Sequence, residues 1–333
     1  MEAALGDRGV CAESAGHVAA SLLEASLRGV DSHGVRLFPH YYRACQAERV
    51  NPRPELRVLS RSAATARLDA DHAFGQHAGA AAIDLACELA ASSGVGAVSV
   101  ANSSHFGAAA YFGLRAARRG HVALAFTNAD ALVRATNARI PVFGTNPICC
   151  CAPMRGEDPF CLDMATSTVS WNKILLRRRD AMPLPEGWAC AEGGAPTTDA
   201  GLARMLEASG SYKGFGLGMM VEILCGLLAG GPVSREILPM FTAPLSERRK
   251  IAHFFVVLDV GSFLPREDFA ARLRSLADEI RSQPSRDGEP PVVIPGDPEK
   301  RLFAVRSAEG IPAEEPTASE LLELGPAFHE ALR

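Results

Sequence analysis

The stretch Gly94-Val95-Gly96-Ala97-Val98-Ser99-Val100-Ala101-Asn102-Ser103-Ser104-His105-Phe106-Gly107 decides how this chain is read. It opens like the dinucleotide fingerprint G-x-G-x-x-G, but Ser99 stands where the third glycine belongs. Its glycines also precede the apolar run. The fingerprint must instead end a strand and open a helix, so that backbone amides reach a pyrophosphate. Gly94-Val95-Gly96 is therefore a helix-to-strand turn, and Val95–Ala101 a buried strand. No G-x-x-x-x-G-K-[ST] loop occurs in the chain, so neither a Rossmann nor a P-loop nucleotide site is supported.

Outward from this stretch, helical and extended patterns alternate. Upstream, an Ala-rich helix runs from about His77 to Ser92, preceded by a strand near Ala64–Leu68. Pro52 and Pro54 mark a boundary, and Ser14–Arg28 is an amphipathic helix stopped by Gly29. Downstream come a helix over Gly107–Arg119, a strand over His121–Thr127 and short strands at Ile148–Ala152 and Phe160–Met164. Thr166–Arg179 reads as a helix and Lys213–Leu228 as a buried core helix. His253–Val260 is a strand, Arg266–Ser282 a helix with Phe269, Leu273, Leu276 and Ile280 inside, and Ala318–Leu332 a final helix. Such mixing implies an α/β or α+β chain.

Composition narrows the class. The 333 residues are 47% hydrophobic and 22% charged, which excludes a disordered or fibrous chain and suits two compact domains, or three if one is discontinuous. Lys and Arg number 34 against 38 Asp and Glu, and without a basic block a nucleic-acid partner is not expected. The most apolar stretch, Gly214–Gly231, carries Glu222 at its middle, so no membrane span is expected. No basic stretch followed by an apolar one opens the chain, so no signal peptide is expected. The nine cysteines include no C-x-x-C pair. Adjacent strand residues point to opposite faces, so Cys149-Cys150-Cys151 reads as a buried strand using cysteine as a small hydrophobe. No metal site is expected, and reduced thiols fit a cytoplasmic protein.

Two histidines stand in unusual company. His33 lies in Asp31-Ser32-His33-Gly34, and His105 in Asn102-Ser103-Ser104-His105-Phe106-Gly107. Each follows small polar residues that can fix a ring tautomer, and each precedes a glycine that leaves room for a ligand. Imidazole titrates near neutrality and can move a proton in a reaction at carbon. A structural role for either ring is the competing reading. Asp163, before Thr166 and Ser167, could bind a ligand or merely cap a helix. Lys213 at a helix start is electrostatically disfavoured unless an anion sits there. Glu222 needs a partner if charged, and a structural ion pair is expected.

In this order the segments resemble the malate/L-lactate dehydrogenase family that is unrelated to the Rossmann enzymes of similar name. The resemblance rests on Asp31-Ser32-His33-Gly34, Asn102 to Gly107, Gly144-Thr145-Asn146-Pro147 and Leu162-Asp163-Met164-Ala165-Thr166-Ser167. It continues through Pro185 to Ala189, Pro196 to Asp199, Lys213-Gly214-Phe215-Gly216 with Val221 to Leu224, and Pro295-Gly296-Asp297. Its relatives include ureidoglycolate and sulfolactate dehydrogenases, diketogulonate reductase and the cyclic-ketimine (piperideine carboxylate) reductases.

The resemblance implies a mixed α/β, non-Rossmann NAD(P)-binding fold, with the helical N- and C-terminal segments packed together and the chain assembled as a homodimer. It implies a terminal helical domain of residues 1–58 with 310–333, a substrate-side domain of 59–125 with 285–309, and an NAD(P)-binding domain of 126–284. Carried over by position, His33, His105, Ser32 and Lys173 would be catalytic. Arg36, Asn146 and Thr145 would bind a small carboxylate substrate. His105, Phe106, Gly107, Ala129, Asp163, Met164, Ala165, Lys213, Pro295, Gly296 and Asp297 would line NAD or NADP. The implied activity moves a hydride between nicotinamide and the α-carbon of a 2-oxo or 2-hydroxy carboxylate, with histidine exchanging the proton. Departures leave alternatives open. Ketimine reductases of the best-known type carry aspartate where this chain has Lys173, which favours an oxo or hydroxy acid over a cyclic imine. Trp171, Asn172 and Arg177 at otherwise small-residue positions also admit a homologue that kept the scaffold and lost the chemistry.

Overall fold

A computed structural model describes residues 1–312, 315–325 and 328. The Ala-rich helix spans Gly75–Ser93 and stops where Gly94 adopts a φ of 76°, the left-handed conformation that glycine takes at no steric cost. The strand Val95–Ser103 follows at once. It passes so close beneath the helix that a Cβ on Gly96 would stand 2.0 Å from the Ala86 carbonyl oxygen. The second glycine of the failed fingerprint thus serves helix–strand packing.

That strand pairs in parallel with Thr65–Asp69 and antiparallel with Ile251–Asp259. The whole sheet has seven strands in the order Arg57–Arg61, Thr65–Asp69, Val95–Ser103, Ile251–Asp259, His121–Thr127, Ile148–Ala152 and Phe160–Met164. Helices Gly75–Ser93 and Ala110–Ala117 cover one face, burying Ile83, Leu89 and Phe112 against Val98, Val100 and Phe255. Helix Tyr212–Glu222 and its wider continuation Ile223–Leu227 cover the other, with Val221 and Cys225 on Phe126 and Ala252. A second, five-stranded sheet of short strands lies between residues 133 and 206. Helix Trp171–Arg179 packs on it through Ile174, with Val133, Leu184 and Leu206. The terminal segments form a third core, where Leu5, Leu22, Phe38 and Tyr41 meet Leu321 and Phe328.

Several expectations need correction. The seven-stranded ladder includes Ile148–Met164 and Ile251–Asp259, so a hydrogen-bonded sheet crosses the boundary placed at residue 126. What stands apart is the smaller sheet with its helix. The helix expected from Thr166 begins only at Trp171, because Thr166 and Thr168 spend their amides on Thr145 O and Glu207 O. The one expected from Gly107 begins at Ala110, since Gly107 has a φ of 80°. Leu276 and Ile280 face outward while Ala277 turns in. The supposedly buried helix at 213–228 buries Val221 and Cys225 but exposes Leu217, Ile223, Leu227 and Leu228, leaving an apolar outer face. Of the expected final helix, Glu315–Glu323 is helical; residues 326, 327 and 329–333 lie outside the described residues. Among the described residues no helix is long and apolar enough to cross a membrane.

Candidate active site

His33 ends a short 3-10 turn, Asp31–His33, wedged between the N-terminal helix and the rest of the molecule. Gly34 makes the wedge possible, because a Cβ there would stand 2.1 Å from Ser26 Oγ. Arg306 fixes the turn from outside by a bidentate pair with Asp31 at 2.6 and 3.0 Å. Asn172 fixes it from the opposite side, donating from Nδ2 to Ser32 O at 3.0 Å. Ser32 Oγ lies 2.9 Å from His33 Nδ1, so that nitrogen is engaged and Nε2 is left for a ligand.

His105 follows the central strand and stacks on His33, with ring centroids 5.7 Å apart and planes 22° apart. Two imidazoles 72 positions apart in sequence thus lie face to face. Tyr41 stacks on the far side of His105 at 6.0 Å and shares a 2.6 Å hydrogen bond with its Nδ1. Burial pushes the Tyr41 phenol above its usual range, so it stays protonated and neutral.

The electrostatics fix the resting state of both rings. Burial, then the nearby Arg36 cation, lowers the His33 pKa to about 4. Burial, then His33 and Arg249, holds His105 well below the ordinary histidine range. Both are neutral at pH 7. The two cations differ in availability. Arg249 is buried and committed to Asp130 and to Leu238 O. Arg36 is half-buried and has no hydrogen-bond or ion-pair partner among the described residues.

A second group of candidates gathers beyond His105. Asp163 Oδ2 accepts from Ala110 N at 2.8 Å, capping the helix that the His105 loop leads into. Burial raises the Asp163 pKa to about 7. Pro295-Gly296-Asp297 lies against the same strand, where a Cβ on Gly296 would stand 3.2 Å from Cys161 N and O. Thr166 O and Ser209 O crowd Gly214, so the helix bearing Lys213 starts beside the Asp163–Thr166 segment. Lys213 is exposed and unpartnered among the described residues. An open cavity of about 710 Å³, lined by Thr168, Glu207, Gly210 and Ser211, lies next to it. Met164 is exposed, while Ala165, Ala129 and Thr145 are half-buried.

The surroundings of four assigned residues, and of Glu222, differ from what their motifs suggest. The Phe106 ring is fully buried, stacked on His253 at 4.7 Å and against Phe112, so only its backbone is free to meet a ligand. The Asp297 carboxylate is held by Arg281 at 2.6 and 2.9 Å and anchors its loop. Asn146 is buried and gives its Nδ2 to Gly218 O and to Glu222 Oε1, at 3.0 and 3.1 Å. Glu222 is therefore held by an amide rather than an ion pair, and burial raises its pKa. Lys173 is exposed on the first turn of its helix with no partner among the described residues. Sequence reasoning missed Tyr41, although the aromatic run Phe38-Pro39-His40-Tyr41-Tyr42 was a signal, and it missed the tethers Asn172 and Arg306, which carry none.

Two stacked neutral imidazoles lie near a guanidinium that has no partner among the described residues, on a mixed sheet without a glycine-rich phosphate loop. The chain belongs to the malate/L-lactate dehydrogenase family, whose model matches residues 1–322. It is 34% identical to a malate dehydrogenase of Pyrococcus abyssi over 94% of this chain and 88% of that protein. It is 32% identical to the ureidoglycolate dehydrogenase (NAD(+)) of Escherichia coli O157:H7 over 93% of this chain and 89% of the relative. The fold matches the crystal structure of malate dehydrogenase from Entamoeba histolytica with a TM-score of 0.93 and 28% identity, covering 99% of this chain and 95% of that one.

Proposed function

We propose that this chain is an NAD- or NADP-dependent dehydrogenase of a small 2-hydroxy carboxylate, working from the His33–His105 cleft. The observation that carries the reading is the stacked histidine pair near an arginine that has no hydrogen-bond or ion-pair partner among the described residues. A half-buried cation without a partner is open to an anion, and a substrate carboxylate would supply one. The planar Arg36 fork would hold the acid in one orientation, with its α-carbon over the imidazoles.

The dinucleotide supplies a nicotinamide ring that accepts or returns a hydride. The chain's residues fit such a group. Lys213 at a helix start offers an anion site, and Gly296 and Gly214 are places where any side chain would collide with backbone. Asp163 and the backbone of the His105 loop bound the space between.

Proton movement belongs to the histidines. Neutral at rest, an imidazole Nε2 takes the hydroxyl proton while the α-hydrogen leaves with its electron pair, giving the 2-oxo acid and imidazolium. Tyr41 and Ser32 hold the opposite nitrogens, which fixes the rings for this transfer. A carboxylate on Arg36 also cancels the charge that opposes protonation of His33, so the occupied site can run in either direction. The exposed apolar face at Leu217, Ile223, Leu227 and Leu228 supports a homodimer, since a second copy of that face would cover it.

The test mixes purified protein with NAD+ or NADP+ and a panel of 2-hydroxy acids including malate, sulfolactate and ureidoglycolate, and with NADH or NADPH and cyclic imines. Growth of reduced nicotinamide absorbance on a hydroxy acid is expected. Turnover confined to cyclic imines would reassign the substrate class, and no dinucleotide binding at all would mean a scaffold without chemistry.

A further inference from the structure

Three thiols converge at one end of the large sheet. Cys149 and Cys151 are two residues apart on one strand and share a face, with Cys150 turned away. The neighbouring edge strand pairs Cys161 directly with Cys151. The Cys149 and Cys151 sulfurs are 3.6 Å apart, and all three lie within 4.8 Å of one another. The strand alternation that separates neighbours along the chain therefore brings every second cysteine together, and the adjacent strand adds the third.

The neighbouring helix packs closely over these sulfurs. Helix Ala110–Ala117 crosses them at Gly113, where a Cβ would stand 2.7 Å from Cys151 Sγ and 2.9 Å from Cys149 Sγ. Glycine inside a helix costs about 1 kcal/mol relative to alanine, and here it lets the helix backbone lie directly against the two sulfurs. Cys149 and Cys151 are buried and Cys161 is half-buried, which leaves one side for entry.

A soft ion bonded to sulfur at about 2.3 Å, and centred between three of them, sets the sulfurs about 4 Å apart. The observed spread brackets that figure. The donor set is all thiol, which selects thiophilic ions over oxygen-preferring ones. Asp163 pairs opposite Cys149, but among the described residues the ligand atoms that lie within 4.8 Å of one another are the three sulfurs, without its carboxylate. Tetrahedral Zn2+ is thereby disfavoured relative to an ion content with three sulfurs.

We propose that Cys149, Cys151 and Cys161 form a binding site for a three-coordinate thiophilic ion, with Cu(I) as the fitting case. Each thiol that binds releases its proton to solvent as the metal–sulfur bond forms, and no oxidant or reductant takes part.

The test titrates the reduced full chain with Cu(I) under anaerobic conditions against a chromophoric chelator. One ion per chain is expected, with a sulfur-to-metal charge-transfer band. Alkylation mapped by mass spectrometry with and without the ion should show the half-buried Cys161 protected only when the ion is present, while the half-buried Cys11 and Cys150 react equally in both. Losing even an indirect partner of a metal ligand costs about 10–100-fold in affinity, so Cys161→Ser should weaken binding by about 100-fold or more. Cys11→Ser should leave it unchanged. Binding that survives Cys161→Ser, ion-dependent protection at Cys11 or Cys150 instead of Cys161, or no binding would overturn the proposal. Should the Cys161 variant fail to fold, the alkylation map on the unsubstituted chain decides by itself.

Discussion

The molecule contains two stacked histidine pairs of nearly the same geometry. His33 and His105 lie 5.7 Å apart at 22°, and His17 and His77 lie 5.9 Å apart at 20°. Each pair even has one serine and one tyrosine partner. Ser32 and Tyr41 serve the first, while Ser14 at 2.7 Å and Tyr111 at 3.1 Å serve the second. The charges around them differ. Burial lowers the pKa of both His77 and His33; Glu13, 3.6 Å from His77 Nε2, works against that shift, whereas Arg36 adds to it at His33. The Glu13–His77 contact occupies the nitrogen that a substrate would need. Ring geometry alone therefore does not make a site; an open Nε2 beside an unsatisfied cation does.

The comparison breaks most readily at the rings themselves. His105→Ala is expected to lower kcat by about 10²- to 10⁴-fold while dinucleotide affinity, read by fluorescence titration, is kept. His77→Gln should leave kcat within a few-fold and lower Tm instead. Equal losses of turnover from both would erase the distinction.

Acidification sharpens it next. His33 with a pKa of about 4 and His253 with one of about 3 stay neutral in the fold, whereas an unfolded histidine takes its proton near 6.5. The unfolded state then binds more protons between those limits, so stability is retained above pH 6.5 and lost as pH falls toward 4. Each such histidine contributes about 1.4 kcal/mol per pH unit across that window. Denaturant midpoints measured from pH 7 to 4 should fall accordingly, and a flat profile would contradict the buried neutral state of these rings.

Arg36→Ala removes the cation without touching the rings. KM for the carboxylate substrate should rise about 10- to 100-fold, the worth of a charge-assisted hydrogen bond, while KM for the dinucleotide barely changes. If both constants move together, Arg36 is acting through folding. Tyr41→Phe is the mildest test. Losing one hydrogen bond to His105 Nδ1, worth about 1 kcal/mol, should cost kcat roughly five-fold. A KM effect with kcat unchanged would mean that Tyr41 does not position the ring.

Much of the fold was legible because local patterns dictate it. Gly94 punctuates the helix before the central strand, and the apolar runs at 95–101, 121–127 and 148–152 are strands because their alternating side chains need burial on both faces. The site was legible in part. The flanking glycines flagged His33 and His105, yet nothing local distinguished them from His17 and His77. The side-chain settings of Phe106, Asn146 and Asp297 were not legible for one reason: a motif shows that a residue belongs to a loop but not which way its side chain turns.

By itself, the sequence determined the mixed α/β class, the absence of a glycine-rich pyrophosphate loop, and which segments carry polar chemistry. These follow from spacing along a few residues, where periodicity and steric limits act directly. Only the tertiary structure decided which imidazoles meet, that Arg36 stays unpaired while Arg249 does not, and that Cys161 completes a trio with Cys149 and Cys151. Those outcomes depend on chain crossings between residues tens of positions apart, and charge, burial and hydrogen bonding take their values only once such crossings are fixed.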